Sequence, residues 1–463
     1  MRTGFGFLLL FVSSLATAAD RPNIIFIMVD DLGPEWIGCY GGRELKTPHI
    51  DALAAGGMRF TNAYSMPQCT PTRATLLTGQ YPFRHGWCNH WDVPRWGAGC
   101  HFDPKHNLTF ARVLKPVGYK TAIAGKWQIN DFRVQPDVLR QHGFDEWCMW
   151  TGYETGKPAS GKRYWDPYIY TSGGKSRTHR DRFGPDVFTA FLVRFLETHR
   201  DSPMLVYFPM VLTHGPVVHT PAELKARTSL EKHKAMVRYT DRIVGQIVSA
   251  VDRLKLRRRT IIFFTTDNGT AKRYRARMGD RLVRGGKGLL TENGPRQPFI
   301  VNGPGIVPAG VVTDALTDFT DMLPTFADLA GARVPRDAVL DGHSLAGLLR
   351  GRKQDGTRQW ILAMGRGAAA LDSRGVRPQQ AYTDRVLRDK RFKVFVEKGQ
   401  ITRLHDLQVD PGETANLVKS PRPSHVAARR KFATIIAGFP KQDPRPRYTP
   451  TPPQPWDRKP DTP

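Results

Sequence analysis

The sequence predicts an α/β fold. A large, mostly parallel central sheet is flanked by helices, and a smaller C-terminal α+β subdomain with an antiparallel sheet follows. Three observations predict it. Asn23–Val29 (NIIFIMV) and Thr260–Thr266 (TIIFFTT) are unbroken apolar runs of strand length, the pattern of strands buried on both faces. Helical periodicities lie between them, over 186–199 and 232–254, which is the alternation of a parallel sheet. Past residue 350 the pattern becomes β-rich, with 391–396 and 401–407 reading as a hairpin that turns at Lys398-Gly399-Gln400.

Taken in order, residues 1–19 read as a secretory signal. Arg2 supplies the charged start, 5–12 the apolar core, and Ala16-Thr17-Ala18-Ala19 the small residues for cleavage. The apolar run is well short of the ~20 residues that span a bilayer, and no later run reaches that length. The mature chain is therefore expected to be exported, periplasmic or secreted, without an integral membrane segment. The main unit covers 20–351, with further strands at 121–124 and 204–210. The C-terminal unit covers 352–438 and closes with a helix over 424–437. Residues 439–463 are rich in Pro and charge and are expected to be extended or disordered.

The 463 residues carry 69 Lys+Arg against 42 Asp+Glu, a formal net charge of +27. Such a field attracts polyanions. No helix-turn-helix, zinc-finger or RNA-binding signature accompanies it, so nucleic acid is not the expected partner. Five cysteines are present: Cys39, Cys69, Cys88, Cys100 and Cys148. An exported chain can form one or two disulfides from such a set. Cys88 with Cys100 is one pairing the sequence allows.

Both long strands run into acidic residues: Asp30-Asp31 after the first, Asp267-Asn268-Gly269 after the second. Sites in open α/β sheets form beyond the carboxyl ends of strands. Three carboxylates and an amide make a hard-oxygen set suited to Ca²⁺ or Mg²⁺. Each pair taken alone is also a good turn sequence. Cys69 opens Cys69-Thr70-Pro71-Thr72-Arg73, where Thr70 reads as an N-cap, Pro71 as the first helical turn, and Arg73 as a cation one turn on. By itself this suggests a reactive thiol.

Together these segments resemble the sulfatase family of the alkaline-phosphatase-like superfamily. The matching stretches are Asn23–Asp31 (NIIFIMVDD), Cys69–Gly79 (CTPTRATLLTG), Gly125-Lys126-Trp127, Thr265–Gly269 (TTDNG), Lys287-Gly288, Asp341–Leu345 (DGHSL) and Leu404–Leu417 (LHDLQVDPGETANL). They occur in the family's order and cover about 21–418. The resemblance implies that a separate formylglycine-generating maturation enzyme oxidises Cys69 to Cα-formylglycine. The hydrated aldehyde would then attack the sulfur of a sulfate ester, dividing one hard displacement into two easier steps. It also implies that Asp30, Asp31, Asp267, Asn268 and modified residue 69 hold a divalent ion, usually calcium. Arg73 would orient and stabilise the modified side chain. Lys126 and Lys287 would contact the sulfate, and His214 would bind it and protonate the leaving oxygen. His219, five residues on, competes for that last role.

One departure stands out. The family often has a histidine two residues after the first lysine, where this chain has Gln128, and glutamine cannot act as a base at neutral pH. His90, His101 and His106 lie in the preceding insert. Beyond the second strand end, Arg273, Arg275 and Arg277 form a basic segment that could bind further anionic groups of a polymeric substrate. The expected activity is hydrolysis of sulfate esters on a sulfated carbohydrate. Three other readings compete: a phosphonate or phosphate-ester hydrolase of the same superfamily, a non-catalytic sulfoglycan-binding protein, and a hydrolase using Cys69 as thiolate. The paired carboxylates argue against the last.

Overall fold

The apolar runs become the two central strands. Asn23–Val29 and Thr260–Thr266 are buried at every residue. The computed structural model describes residues 21–151, 162–174 and 176–459, so the signal expected over 1–19 lies outside the described residues. Ten strands form the main sheet. Their order is Val311–Asp318, Met58–Tyr64, Arg296–Asn302, Thr260–Thr266, Asn23–Val29, Met204–Pro209, Lys120–Lys126, Glu146–Trp150, Tyr168–Thr171 and Arg177–Thr178. From Thr260–Thr266 through Glu146–Trp150 the neighbours run parallel, and Arg296–Asn302 and Tyr168–Thr171 flank them antiparallel.

Strands with apolar side chains on both faces need cover on both faces. On one, Phe26 packs between Phe263 and Phe326, with Phe110 behind. On the other, Ile25, Ile27 and Val29 meet the helices Gly184–Thr198 and Ser229–Arg253. The second of these starts three residues before the expected 232. Thr228 accepts from the Glu231 N–H while the Glu231 carboxylate accepts from the Thr228 N–H, a reciprocal cap that fixes the first turn.

The register of the two central strands sets the site. Val29 pairs with Thr266, so Asp30 and Asp267 emerge side by side at the same level. The Asp267 N–H donates to the Val29 carbonyl at 2.9 Å, and the Asp30 N–H donates to the Leu212 carbonyl at 2.7 Å. Lys126 ends the strand beyond Met204–Pro209, on the same edge of the sheet.

All five cysteines are free. The Cys88 thiol donates to the Pro82 carbonyl at 3.4 Å and the Cys100 thiol to the Gly97 carbonyl at 2.9 Å, so the Cys88–Cys100 pairing is not formed. The C-terminal sheet is antiparallel, in the order Ile361–Met364, Arg385–Arg388, Phe392–Glu397 and Gln400–Asp406. Its hairpin turns on two residues, not the three expected. Lys398 (φ 51°) and Gly399 (φ 78°) both take the left-handed conformation of a tight turn, and Gln400 already pairs with Glu397. The helix Pro423–Ala437 covers this sheet through Ala428 and Phe432. Buried Arg388 and Lys393 meet Glu292 at 3.1 and 3.0 Å, tying the small sheet to the main unit.

Residues 439–459 hold no helix or strand and are fastened to the body. Asp443 takes two hydrogen bonds from buried Arg385, at 2.7 and 2.8 Å. The Thr449 N–H donates to Asp103 at 2.7 Å and the Thr451 N–H to the Gly99 carbonyl at 3.0 Å.

Candidate active site

Cys69 stands at the start of the helix Cys69–Thr78, fully buried at the carboxyl edge of the parallel strands. Thr70 is not the cap that the sequence suggested. The helix begins at Cys69, two residues before the expected Pro71, and Gln68, in extended conformation, occupies the cap position without a side-chain bond. The Thr70 hydroxyl is committed elsewhere: it donates to the Trp91 carbonyl at 2.8 Å and accepts from the Trp91 N–H at 3.0 Å. Thr72 anchors the helix to the second strand end by donating to the Asp267 carbonyl at 2.9 Å.

Around the Cys69 sulfur, three polar groups converge. The thiol lies 3.5 Å from Asp30 Oδ1, 3.5 Å from Asn268 Oδ1 and 3.4 Å from Lys126 Nζ. Lys126 also donates to Asp30 Oδ2 at 2.6 Å. Lys287 donates to Asp31 Oδ2 at 2.7 Å, and Asn268 Nδ2 donates to Asp31 Oδ1 at 2.7 Å. Arg73 is buried and reaches Asp267 at 3.1 Å and the Lys126 carbonyl at 2.7 Å. Its guanidinium thus braces the acidic strand end, with no hydrogen bond to Cys69. His214 Nδ1 lies 2.6 Å from the Gly215 carbonyl, which turns Nε2 toward Asp31 at 3.8 Å. His219 is elsewhere, its ring packed against Trp165.

Ligand atoms of Asp30, Asp31, Cys69 and His214 all lie within 4.8 Å of one another, and Asn268 Oδ1 adjoins the sulfur. Burial raises the proton affinity of Asp267, Asp30 beside it adds to this, and the carboxyl is pushed up to about 7 despite Arg73. Asp267 is not one of that four-residue cluster, but its Oδ1 accepts from the Asp31 N–H at 3.1 Å, and together the buried carboxylates are a donor set that a hard divalent cation would satisfy. Asp30 differs: burial opposes its charge, but Lys126, His214 and Arg73 hold it well below the usual carboxylate range. Burial, then Asp267, pushes the Cys69 thiol up. A resting thiolate nucleophile is therefore disfavoured here. Burial brings His214 down to about 3.

A model of the sulfatase family matches residues 22–332, and one of the C-terminal region of N-sulphoglucosamine sulphohydrolase matches 286–434. The chain belongs to the sulfatase family. Human arylsulfatase D is 32% identical over 423 residues, covering 74% of this chain and 71% of that protein. Mouse N-acetylgalactosamine-6-sulfatase is 33% identical over 374 residues, covering 75% and 71%. Rat steryl-sulfatase is 30% identical over 420 residues, covering 73% and 72%. The crystal structure of Ps i-CgsB shares the fold with a TM-score of 0.75 at 24% identity, over 91% of this chain and 94% of that one. The chain is accordingly a sulfuric ester hydrolase with the alkaline-phosphatase-like fold.

In this sulfatase, Gln128 has a left-handed backbone (φ 76°), and its Nε2 sits 3.4 Å from His90 Nδ1. His90, one of three histidines that sequence could not position, is thus the one beside Gln128. Arg273 is exposed next to the His214 loop: a Cβ on Gly215 would lie 3.8 Å from its Nη2. Arg275 and Arg277 are exposed on the strand Arg275–Met278, and the Arg277 carbonyl accepts from the Arg43 N–H. Sequence reasoning missed Asp92 and Arg163. Arg163 is buried, stacks over Trp150 at 3.9 Å, and places Nη1 3.3 Å from His214 Nδ1. No motif announces it, because its neighbours lie far along the chain.

Proposed function

We propose that this sulfatase hydrolyses sulfate esters on a sulfated carbohydrate, with Cys69 converted to formylglycine by a separate maturation enzyme. The observation that carries this reading is the convergence of Asp30, Asn268 and Lys126 on the buried Cys69 sulfur. Asp30, Asp31, Asp267, Asn268 and residue 69 would hold Ca²⁺, or Mg²⁺ in its place; the oxygen-rich donors favour such ions over soft metals. When present, the modified residue supplies an oxygen nucleophile and the ion supplies positive charge for sulfate oxygens.

The chain's own side chains do the rest. Lys126 and Lys287 offer ammonium groups at opposite sides of the carboxylates, positioned to bind sulfate oxygens. Arg73 fixes Asp267 and the end of the Lys126 strand. His214, anchored through Nδ1, would act as imidazolium beside the bound sulfate, giving its Nε2 proton to the departing alcohol oxygen and reverting to neutral imidazole. Arg273 rims the same loop and would take a further anionic group of a polymer, with Arg275 and Arg277 extending the basic surface.

Support for a carbohydrate comes from the net charge of +27 and from relatives. One is named an N-acetylgalactosamine-6-sulfatase, and one solved neighbour is in complex with D-glucosamine-2-N,6-O-disulfate. The basic start and apolar run before residue 20 support export. Among the described residues, no helix is long and apolar enough to cross a membrane.

The test is sulfate release from a panel of sulfated saccharides, with residue 69 conversion measured by mass spectrometry. Converted protein should release sulfate, and Cys69→Ala should not. Chelation should abolish release, and Ca²⁺ should restore it. Full activity in Cys69→Ala would overturn the mechanism.

A further inference from the structure

The segment 90–93 forms a wall of the site. Trp91 exchanges two hydrogen bonds with Thr70, and the Val93 N–H donates to the Gln128 carbonyl at 3.1 Å. The wall is therefore clamped to the residue after Cys69 and to the residue two past Lys126. Asp92, at its centre, is half-buried. Its carboxylate makes no hydrogen bond or ion pair with the described residues; burial opposes its charge, and Lys126, Arg163 and Arg95 nearby favour it. Arg163 is 8% exposed, its Nε has no partner, and its plane is pinned on Trp150 beside His214.

Trp150 holds the Arg163 guanidinium beside His214, and the clamps on Trp91 and Val93 fix the backbone on either side of Asp92. Leaving the buried Arg163 Nε without a partner is costly, and the half-buried Asp92 carboxylate is open to a donor, so a ligand carrying both donors and acceptors would satisfy both. We propose that Asp92 and Arg163 form a sugar-reading subsite beside the sulfate position. Asp92 accepts a hydrogen bond from a ring hydroxyl, and Arg163 donates to an adjacent ring substituent oxygen. The Trp150–Arg163 stack gives the sugar a flat wall. A sterol or simple aryl group offers no hydroxyl array to this pair. The inference rests on the carbohydrate reading above and names the residues that select for it.

The experiment uses Cys69→Ser protein for binding and converted protein for turnover. The probes are N-acetylgalactosamine 6-sulfate, N-acetylglucosamine 6-sulfate, their monodeoxy analogues and 4-nitrophenyl sulfate. Asp92→Asn, nearly isosteric, should weaken calorimetric binding of the preferred sulfated sugar by about tenfold or more. It should lower the ratio of kcat/KM on that sugar to kcat/KM on the aryl sulfate by a similar factor. One monodeoxy analogue should show the same loss with the parent and no further loss with Asp92→Asn. Arg163→Gln should lower the same ratio. An unchanged ratio in both variants, with the parent active on sugar, overturns the subsite alone. A parent that cleaves the aryl sulfate but neither binds nor cleaves any sugar of the panel overturns the carbohydrate reading as well.

Discussion

Lys126 touches both halves of the centre, 2.6 Å from Asp30 and 3.4 Å from the residue 69 sulfur. Lys126→Ala removes a preorganised cation from a buried site, and kcat should fall by about 10²–10³. Sulfate-release kinetics check this, and a variant within threefold of the parent would exclude a role in the chemistry. Arg273→Ala should raise KM on a sulfated polysaccharide more than on a small aryl sulfate, since Arg273 borders the His214 loop without entering the carboxylate cluster. Equal effects on both would exclude a polymer contact. At this scale the clustering of the acidic residues was legible, because each follows directly on an apolar strand and so sits at its carboxyl end. Asp92 and Arg163 were not. Their significance depends on Gln128, Trp150 and His214, brought together only by the fold.

Among elements, the strand Lys120–Lys126 carries the tightest constraint. Gly125 has φ 114°, and a Cβ there would lie 2.1 Å from the Pro209 carbonyl oxygen of the adjacent strand. Gly125→Ala must push those two strands apart while holding a conformation L side chains resist, at a cost of about 1–3 kcal/mol. The same displacement would move Lys126 and the chain leading to His214. Tm and sulfate release should therefore fall together; a parent-like Tm would show that the strands absorb the methyl group. The central strands could be read from the sequence because burial on both faces leaves an unbroken apolar run. The start of the Cys69 helix could not. Thr70-Pro71 has the local form of a cap, but the Thr70 hydroxyl bonds to Trp91, a tertiary contact that local pattern does not encode.

For the whole molecule, Glu292 is the electrostatic joint between the two sheets. Burial alone would raise its pKa, but Lys393, Arg388 and Arg296 bring it from the ordinary 4.5 to about 2. Tyr64 donates to it at 2.5 Å, and Glu413 shares Lys393. A carboxyl depressed on folding stabilises fully above its unfolded value, so this contribution should fade as pH falls from about 4.5 toward 2. Glu292→Gln should lower Tm at pH 7, since leaving Arg388 and Lys393 buried without that carboxylate costs about 3–5 kcal/mol, and flatten the loss of Tm on acidification. Melting curves from pH 7 to pH 3 test both; an unchanged acid slope would assign that slope to other carboxylates. The net charge acts at longer range, so KM on a sulfated polymer should rise with ionic strength more steeply than KM on a monosaccharide.

The fastened chain end has a consequence for protease sensitivity. Arg385 is fully buried, and Asp443 is its carboxylate partner. A nick between 439 and 443 would let that partner drift away, stranding a guanidinium inside the small sheet, apart from the carboxylate cluster at Cys69. Nicked protein should therefore begin with near-normal turnover and lose it sooner than intact protein on warming, which incubation of the two forms at rising temperature would show.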